Sequence, residues 1–487
     1  MRSALQGLLQ YPYGCLEQTT SSAWPYLFLD ASVSEQLGLA PLEMKERNER
    51  VTAALLRLSG MQLANGGFTL WGEAGGAQEE YWLTPYVTDF LLDAQEQGFI
   101  VPDWLLQRAL QNLEERLAEG EHDTASRYEF SETPEHVDFA ARAYAGYVLS
   151  RVKRASPGTL KVLYDKDAGK AVAGLPLVHL GLALRKGGDL KRGDDAIQRG
   201  LALVRDEQKY LGDYGSRLRD QAGMLYLLLR HKIALPNQAT EITKLADLLH
   251  NRNYFSTQEQ LFVFLAGLQV QEKAKASWHA ALKVGNDSVA LSGSKAAYRA
   301  VTAEEFQQGL SIMATDPLYV ALSVDGYPVA PPAPDSDPIE VQRQWYGMDG
   351  KPVKPEALQV GSLLLTHLMV SSSTDINDAL VVDLLPAGFE LENTNLQTNE
   401  SLEGLQLEGM DKPVLELLSS SVPRTQEFRD DRYVAALPLK AKTRHHLFYL
   451  TRVVSTGKFS VPPTYVEDMY RPELNGVGAT PAAMVIP

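Results

Sequence analysis

Residues 103–120 read Asp103-Trp104-Leu105-Leu106-Gln107-Arg108-Ala109-Leu110-Gln111-Asn112-Leu113-Glu114-Glu115-Arg116-Leu117-Ala118-Glu119-Gly120. Leu106, Ala109, Leu110, Leu113 and Leu117 recur at helical spacing, Pro102-Asp103 opens the segment and Gly120 closes it. Residues 137–153 repeat the pattern with Phe139, Ala140, Ala143, Tyr144, Tyr147 and Val148. Ser256-Thr257-Gln258-Glu259 forms a capping box ahead of the apolar run Leu261 to Leu268, and Thr84-Pro85 has the form of an N-cap followed by a first-turn proline. Such segments recur about a dozen times, near 16–29, 42–60, 83–97, 103–119, 136–153, 158–166, 175–185, 189–205, 216–233, 238–250, 256–272 and 275–283. Short loops favour antiparallel neighbours. Twelve helices taken in pairs close into a ring of six hairpins, an α/α toroid, although a helical solenoid presents the same pattern.

The texture changes after about residue 284. Leu318, Val320, Leu322 and Val324 alternate as in a strand. Pro331-Pro332-Ala333-Pro334-Asp335-Ser336-Asp337-Pro338 then places four prolines in eight residues, a stiff extended linker. Beyond it, Val360, Ser362, Leu364, Thr366 and Leu368 alternate along one face, and Asp349-Gly350 signals a hairpin turn. Leu380–Leu385 and Leu447–Val454 add further apolar runs, which together predict an all-β sandwich. The expected division is a helical domain over 1–283, a β-rich stretch over 284–330, a linker over 331–338 and a sandwich over 339–487.

Composition narrows the function. The 487 residues, 45% hydrophobic and 22% charged, suit several packed domains, since single cores stop growing near about 250–300 residues. A formal charge of −15 makes nucleic acid and anionic membrane poor partners. No apolar run approaches the roughly 20 residues that span a bilayer, and no signal peptide is visible at Met1–Gln10. One cysteine precludes an internal disulfide and a Cys-rich metal site.

That cysteine lies in Tyr11-Pro12-Tyr13-Gly14-Cys15-Leu16-Glu17-Gln18. Cys and Gln three apart meet on one side of a turn. A thiolate attacking the Gln18 side-chain amide expels ammonia and leaves an internal thioester, whose weaker resonance and good leaving group store reactivity. A Lys amine or a hydroxyl then takes the Gln18 acyl group and frees Cys15. By spacing alone, a small buried hydrophobe is the commoner role for such a Cys.

Gly14-Cys15-Leu16-Glu17-Gln18 resembles the GCxEQ thioester signature of the α2-macroglobulin and complement family, and the flanking Tyr-Pro-Tyr and Thr19-Thr20-Ser21 resemble its bacterial branch. Val466-Glu467-Asp468-Met469-Tyr470-Arg471-Pro472 is similar to the closing motif of bacterial members. The resemblance implies a thioester domain built as a helical toroid, then the second half of a CUB-like β domain, then a macroglobulin-type β-sandwich. It implies a broad-spectrum protease inhibitor, a single-use covalent trap and not an enzyme, in which bait cleavage exposes the Cys15–Gln18 thioester to a protease Lys. The motif starts at residue 14, where family members carry many macroglobulin domains and a bait region upstream. The chain therefore reads as a C-terminal fragment, soluble itself, of a periplasmic parent tethered to the inner membrane. The implied partners are proteases of hosts or competing microbes and the upstream domains, with no nucleic acid, cofactor or metal.

Water must be kept from a thioester. Tyr11 and Tyr13 are near enough in sequence and large enough to cover it, and the resemblance adds Met469 and Tyr470 to Tyr11 as shields. In some relatives a histidine about a hundred residues downstream relays the acyl group to hydroxyls; His122 and His136 lie in that stretch, and without such a residue amines are the favoured targets. Gln62-Leu63-Ala64-Asn65-Gly66-Gly67-Phe68 with Trp71 resembles the structural turns of α/α toroids, including terpene cyclases. His445-His446 sits in a strand pattern that aims the two rings at opposite faces, a poor chelator. Two other readings stand beside the trap: a toroid enzyme of the cyclase or lyase kind, for which no DxDD-type run is found, and an interaction module with an inert buried Cys15.

Overall fold

The computed structural model describes the chain apart from residues 1, 11–13, 73–77, 121–132, 208, 236, 251, 253, 274–276, 295–296, 316–317, 319, 321, 323, 325, 327–329, 355–357, 393–401, 403 and 482. The chain divides into two units, the second starting at Gly326.

In the first unit the helices are α1 (Arg2–Gln10), α2 (Leu16–Ala23), α3 (Ala31–Gln36), α4 (Met44–Ser59), α5 (Leu83–Glu96), α6 (Asp103–Glu119), α7 (Pro134–Arg151), α8 (Pro157–Asp167), α9 (Gly174–Lys186), α10 (Leu190–Ala202), α11 (Arg217–Arg230), α12 (Gln238–Leu249) and α13 (Thr257–Lys273). Apart from the short α3, they alternate between two kinds. The amphipathic helices α6 and α10 bury one stripe; in α10 it is Gly193, Ala196, Ile197 and Gly200, spaced i, i+3, i+4, i+7. Helix α7 is instead buried all round from His136 to Ser150, as a helix walled in by others must be.

The packing order explains the difference. Helix α2 packs on α5, α5 on α7, α7 on α9, α9 on α11, α11 on α13, and α13 returns to α2. Six inner helices thus close a ring, and α1, α4, α6, α8, α10 and α12 pack against them from outside. This is the α/α toroid of six hairpins. Helices α9 and α10 touch through glycine: a Cβ on Gly174 would lie 2.2 Å from the Gly200 carbonyl oxygen. The Ser256 box caps α13 as the sequence predicts, with Ser256 N–H donating to Glu259 Oε2 at 2.9 Å and Glu259 N–H donating to Ser256 Oγ at 3.2 Å.

Two expectations are corrected. The twelfth toroid helix is α1, at the start of the chain, and not residues 275–283. Those residues enter strand β1 (Trp278–Val284), where Ala280, Leu282 and Val284 are buried at period two. A two-residue Gly285-Asn286 turn, with Gly285 at φ 55°, returns the chain into β2 (Asp287–Gly293). Sheet pairing here overrides the helical propensity of the Ala and Lys residues. After α14 (Ala303–Gln307), strand β3 (Leu310–Ala314) completes a three-stranded sheet in the order β2-β1-β3. Among the described residues, Leu318, Val320, Leu322 and Val324 lie in no strand, and the last three are exposed.

The second unit is a sandwich. One sheet has the order β4-β5-β10-β7, from β4 (Ile339–Gly347), β5 (Leu363–Ser372), β7 (Phe389–Glu392) and β10 (Arg444–Val453). The other has the order β13-β12-β6-β9-β8, from β6 (Ile376–Leu384), β8 (Thr425–Arg429), β9 (Arg432–Leu439), β12 (Thr464–Asp468) and β13 (Arg471–Val477). Ile339, Leu368, Val381, Leu437, Leu447 and Val466 meet between them. Helix α15 (Val414–Ser420) and the small β11–β14 pair (Gly457–Phe459 with Met484–Ile486) lie outside the sequence reading.

Candidate functional site

Cys15 stands one residue before α2 with extended backbone, φ −65° and ψ 173°, the usual conformation of an N-cap. Gln18 N–H donates to Cys15 Sγ at 3.4 Å, and Cys15 N–H donates to Gln18 Oε1 at 3.3 Å. This is a capping box with Cys in the place of Ser or Thr. The orphan N–H groups of a helix start need acceptors. Satisfying them brings the sulfur and the side-chain amide onto one turn. Cys15 is fully buried and Gln18 is 1% exposed, so this first turn is withdrawn from water.

Three neighbours hold the turn. Arg57 Nε donates to the Gly14 carbonyl oxygen at 2.8 Å. A Cβ at Gly14 would sit 2.8 Å from the guanidinium carbon, so a larger residue there would displace the Arg57 side chain. Leu16 N–H donates to the Leu70 carbonyl oxygen at 2.8 Å. Leu70 belongs to the Gln62–Trp71 loop, so that loop is the platform on which α2 begins. Gln62 Nε2 ties it together by donating to the carbonyls of Gly66 (3.1 Å) and Leu105 (2.9 Å).

The third neighbour is Glu17, and sequence reasoning missed it. A first-turn Glu is ordinarily solvated, yet Glu17 is fully buried. Its carboxyl accepts from Ser21 Oγ and, at 2.6 Å, from Thr257 Oγ1 at the start of α13. Ser21 Oγ also lies 2.6 Å from the Tyr86 hydroxyl of α5. Burial pushes the Glu17 carboxyl up to about 7, against the opposing pull of the Ser21 and Thr257 hydrogen bonds and the Arg219 charge.

The candidate histidines fall apart. His122 lies outside the described residues. His136 is buried at the start of α7 with both ring nitrogens engaged. Nδ1 accepts from Val172 N–H at 3.2 Å, which assigns the ring proton to Nε2, 3.4 Å from Asp213 Oδ2. Asp213 also accepts from Arg205 (2.8 Å at Nη1) and Arg219 (3.1 Å). Burial alone would raise its pKa; the two guanidinium charges hold it well below the carboxylate range.

Tyr11 and Tyr13 lie outside the described residues. Met469 and Tyr470 form the turn between β12 and β13, where both are buried; Met469 N–H donates to the Asp378 carbonyl at 3.0 Å and Tyr470 N–H to Asp468 Oδ1 at 3.0 Å. His446 Nδ1 sits 2.9 Å from His367 Nε2 across β10 and β5, a stacked pair.

Residues 1–132 match the A-macroglobulin TED domain, and residues 339–473 match the bacterial alpha-2-macroglobulin MG10 domain. A curated relative, alpha-2-macroglobulin of Xylella fastidiosa strain Temecula1, is 40% identical over 99% of this chain and 29% of its own length. The chain therefore spans under a third of that relative. The crystal structure of native Escherichia coli alpha-2-macroglobulin from domain MG7 to the C-terminus matches 99% of this chain and 75% of its own, with a TM-score of 0.90 and 35% identity. The crystal structure of Salmonella alpha-2-macroglobulin reacted with methylamine matches 99% of this chain and 30% of its own, with a TM-score of 0.87 and 34% identity.

Proposed function

The chain belongs to the alpha-2-macroglobulin family, and from that membership we propose that it carries the reactive part of a protease trap. The observation that supports this best is the reciprocal Cys15–Gln18 hydrogen bonding on a buried helix start. In the proposed chemistry, Cys15 Sγ attacks Gln18 Cδ, the C–N bond breaks, and ammonia leaves with the thiol's proton. A protease Lys amine later attacks the same carbon. The C–S bond then breaks, Cys15 recovers a proton, and an isopeptide bond remains. Each molecule reacts once, so the proposed activity is inhibition by covalent capture without turnover.

The parent's context belongs to the same proposal: a bait region upstream, cleavage by a protease of a host or competitor, and a periplasmic site of action at the inner membrane. Among the described residues no helix is long and apolar enough to cross a membrane. Both nitrogens of His136 are engaged, which leaves His122 as the candidate relay to hydroxyls; without a relay, amines are the proposed acceptors. Tyr11, Tyr13, Met469 and Tyr470 are the proposed shield against water.

Intact mass tests the reading. A closed thioester makes the chain lighter than its sequence by one ammonia, and methylamine should restore mass while releasing one thiol at Cys15. A full-mass chain whose thiol labels equally with and without methylamine would refute it.

A further inference from the structure

We propose that Glu17 is a positioning residue for the thioester, its carboxyl fastening the Cys15–Gln18 turn to the helix that closes the ring. The inference rests on the thioester reading above and adds to it what fixes the turn. Cys15 and Gln18 face one side of the first turn of α2, where they bond to each other. Glu17 leaves the same turn on another side and is fully buried. There it meets Thr257 at 2.6 Å, 240 residues away along the chain. Ser21, one turn further along α2, donates to the same carboxyl and lies 2.6 Å from Tyr86. One side chain therefore joins α2 to α13, and through Ser21 to α5, at the junction where the first and last inner helices of the ring meet.

The physical consequence is orientation. Cyclisation needs the sulfur to approach the amide carbon along a narrow path, and small misplacements of reacting groups cost about a hundredfold in rate. A one-turn capping box on an eight-residue helix leaves that turn free to fray, which separates the sulfur from the amide. The carboxyl supplies the missing constraint through Thr257, which ties it to α13; the Ser21 bond lies within α2 and passes the tie on to Tyr86. Such a constraint is worth most when water cannot compete for it. The absence of exposure at Glu17, Ser21 and Thr257, the last being 2% exposed, meets that condition.

The test uses the whole chain and two changes at Thr257. Thr257→Val keeps the shape and removes the hydroxyl, whereas Thr257→Ser keeps the hydroxyl. Intact mass gives the fraction of chains that have lost ammonia, thiol release gives the methylamine rate, and thermal midpoints are recorded on the same samples. The valine variant should close the thioester in at least threefold fewer chains, or change the methylamine rate by at least threefold. The serine variant should stay within twofold of wild type at a comparable midpoint. Glu17→Gln, which keeps the volume and one acceptor oxygen, serves if the valine variant does not fold, with the same threefold criterion. Wild-type closure and rate in the folded valine or glutamine variant would overturn the positioning role while leaving the thioester reading intact. Wild-type protein with no ammonia loss and no methylamine-released thiol would overturn both.

Discussion

Asp213→Asn removes one charge from a buried cluster that is balanced only when complete. Two guanidinium groups, Arg205 and Arg219, face two carboxylates, Asp213 and Asp220, and all four side chains are 5% exposed or less. Asp213 accepts from both arginines, and its carbonyl oxygen accepts from Arg219 as well, at 3.1 Å. Asparagine preserves the shape but leaves one positive charge without a counterpart in the ring interior. Breaking a buried pair in this way costs about 3–5 kcal/mol. At roughly 2–4 °C per kcal/mol for domains of this order of size, the melting temperature of the helical unit falls by about 10 °C. The assay is thermal or urea unfolding followed by helical circular dichroism, with Arg192→Ala as control. Arg192 pairs with Asp165 at 2.9 Å and with Asp189 at 3.0 Å on the surface, where solvent screens the charges and little stability rests on them. The pH dependence has a definite sign. Because the folded-state pKa of Asp213 is depressed, its contribution is present above the unfolded value near 3.8 and is lost as pH falls through the folded value. An Asp213→Asn loss no larger than that of Arg192→Ala at pH 7 would refute the reasoning.

Three further outcomes follow from the same geometry. Glu17 has the opposite sign: its folded pKa of about 7 exceeds the ordinary glutamate value of 4.5, so its contribution is fully present below 4.5 and is lost as pH rises to about 7. The loss is about 3 kcal/mol at 1.36 kcal/mol per unit, and unfolding curves of Glu17→Gln should lack that slope. His136→Gln should lower stability by about 1–3 kcal/mol, since Val172 N–H and Asp213 lose their ring partner, while the ratio of amine to hydroxyl capture stays at the wild-type value in a competition assay. Met469→Ala should speed thioester loss to water and methylamine, measured as thiol appearance; unchanged rates would remove Met469 from the proposed shield.

The toroid was legible because its signals are local. Leu106, Ala109, Leu110, Leu113 and Leu117 mark one face of α6 whatever surrounds them, and Ser256-Thr257-Gln258-Glu259 announces α13 from four residues. Where local and tertiary preferences disagree, the reading failed. Residues 275–283 favour helix by composition, but Ala280, Leu282 and Val284 are taken into β1 by pairing with β2 and β3. At the site, the Cys15–Gln18 spacing was readable, and the capping-box pattern would have predicted their reciprocal bonds. Glu17 was not. A first-turn Glu is ordinarily solvated, and although Ser21 lies four residues away, its partner Thr257 is reached only through the closed ring.

The position of the cysteine at the ring junction bears on when the site exists. Helix α1 packs on α13, and α2 packs on both α1 and α13, so the two ends of the helical chain are neighbours in the finished ring. Contacts that close long loops carry an entropic cost that grows slowly with separation, so local hairpins such as α9–α10 are expected to form ahead of them. The Glu17–Thr257 bond is therefore expected among the last of the unit to form, and thiol protection at Cys15 that precedes α9–α10 in a refolding time course would refute that order. Before it does, Cys15 and Gln18 stand on an eight-residue helix, and helices this short are marginal alone in water. Burial of the sulfur and orientation of the amide thus arrive together, with ring closure. On this order the proposed thioester would form no sooner than the ring that would shelter it.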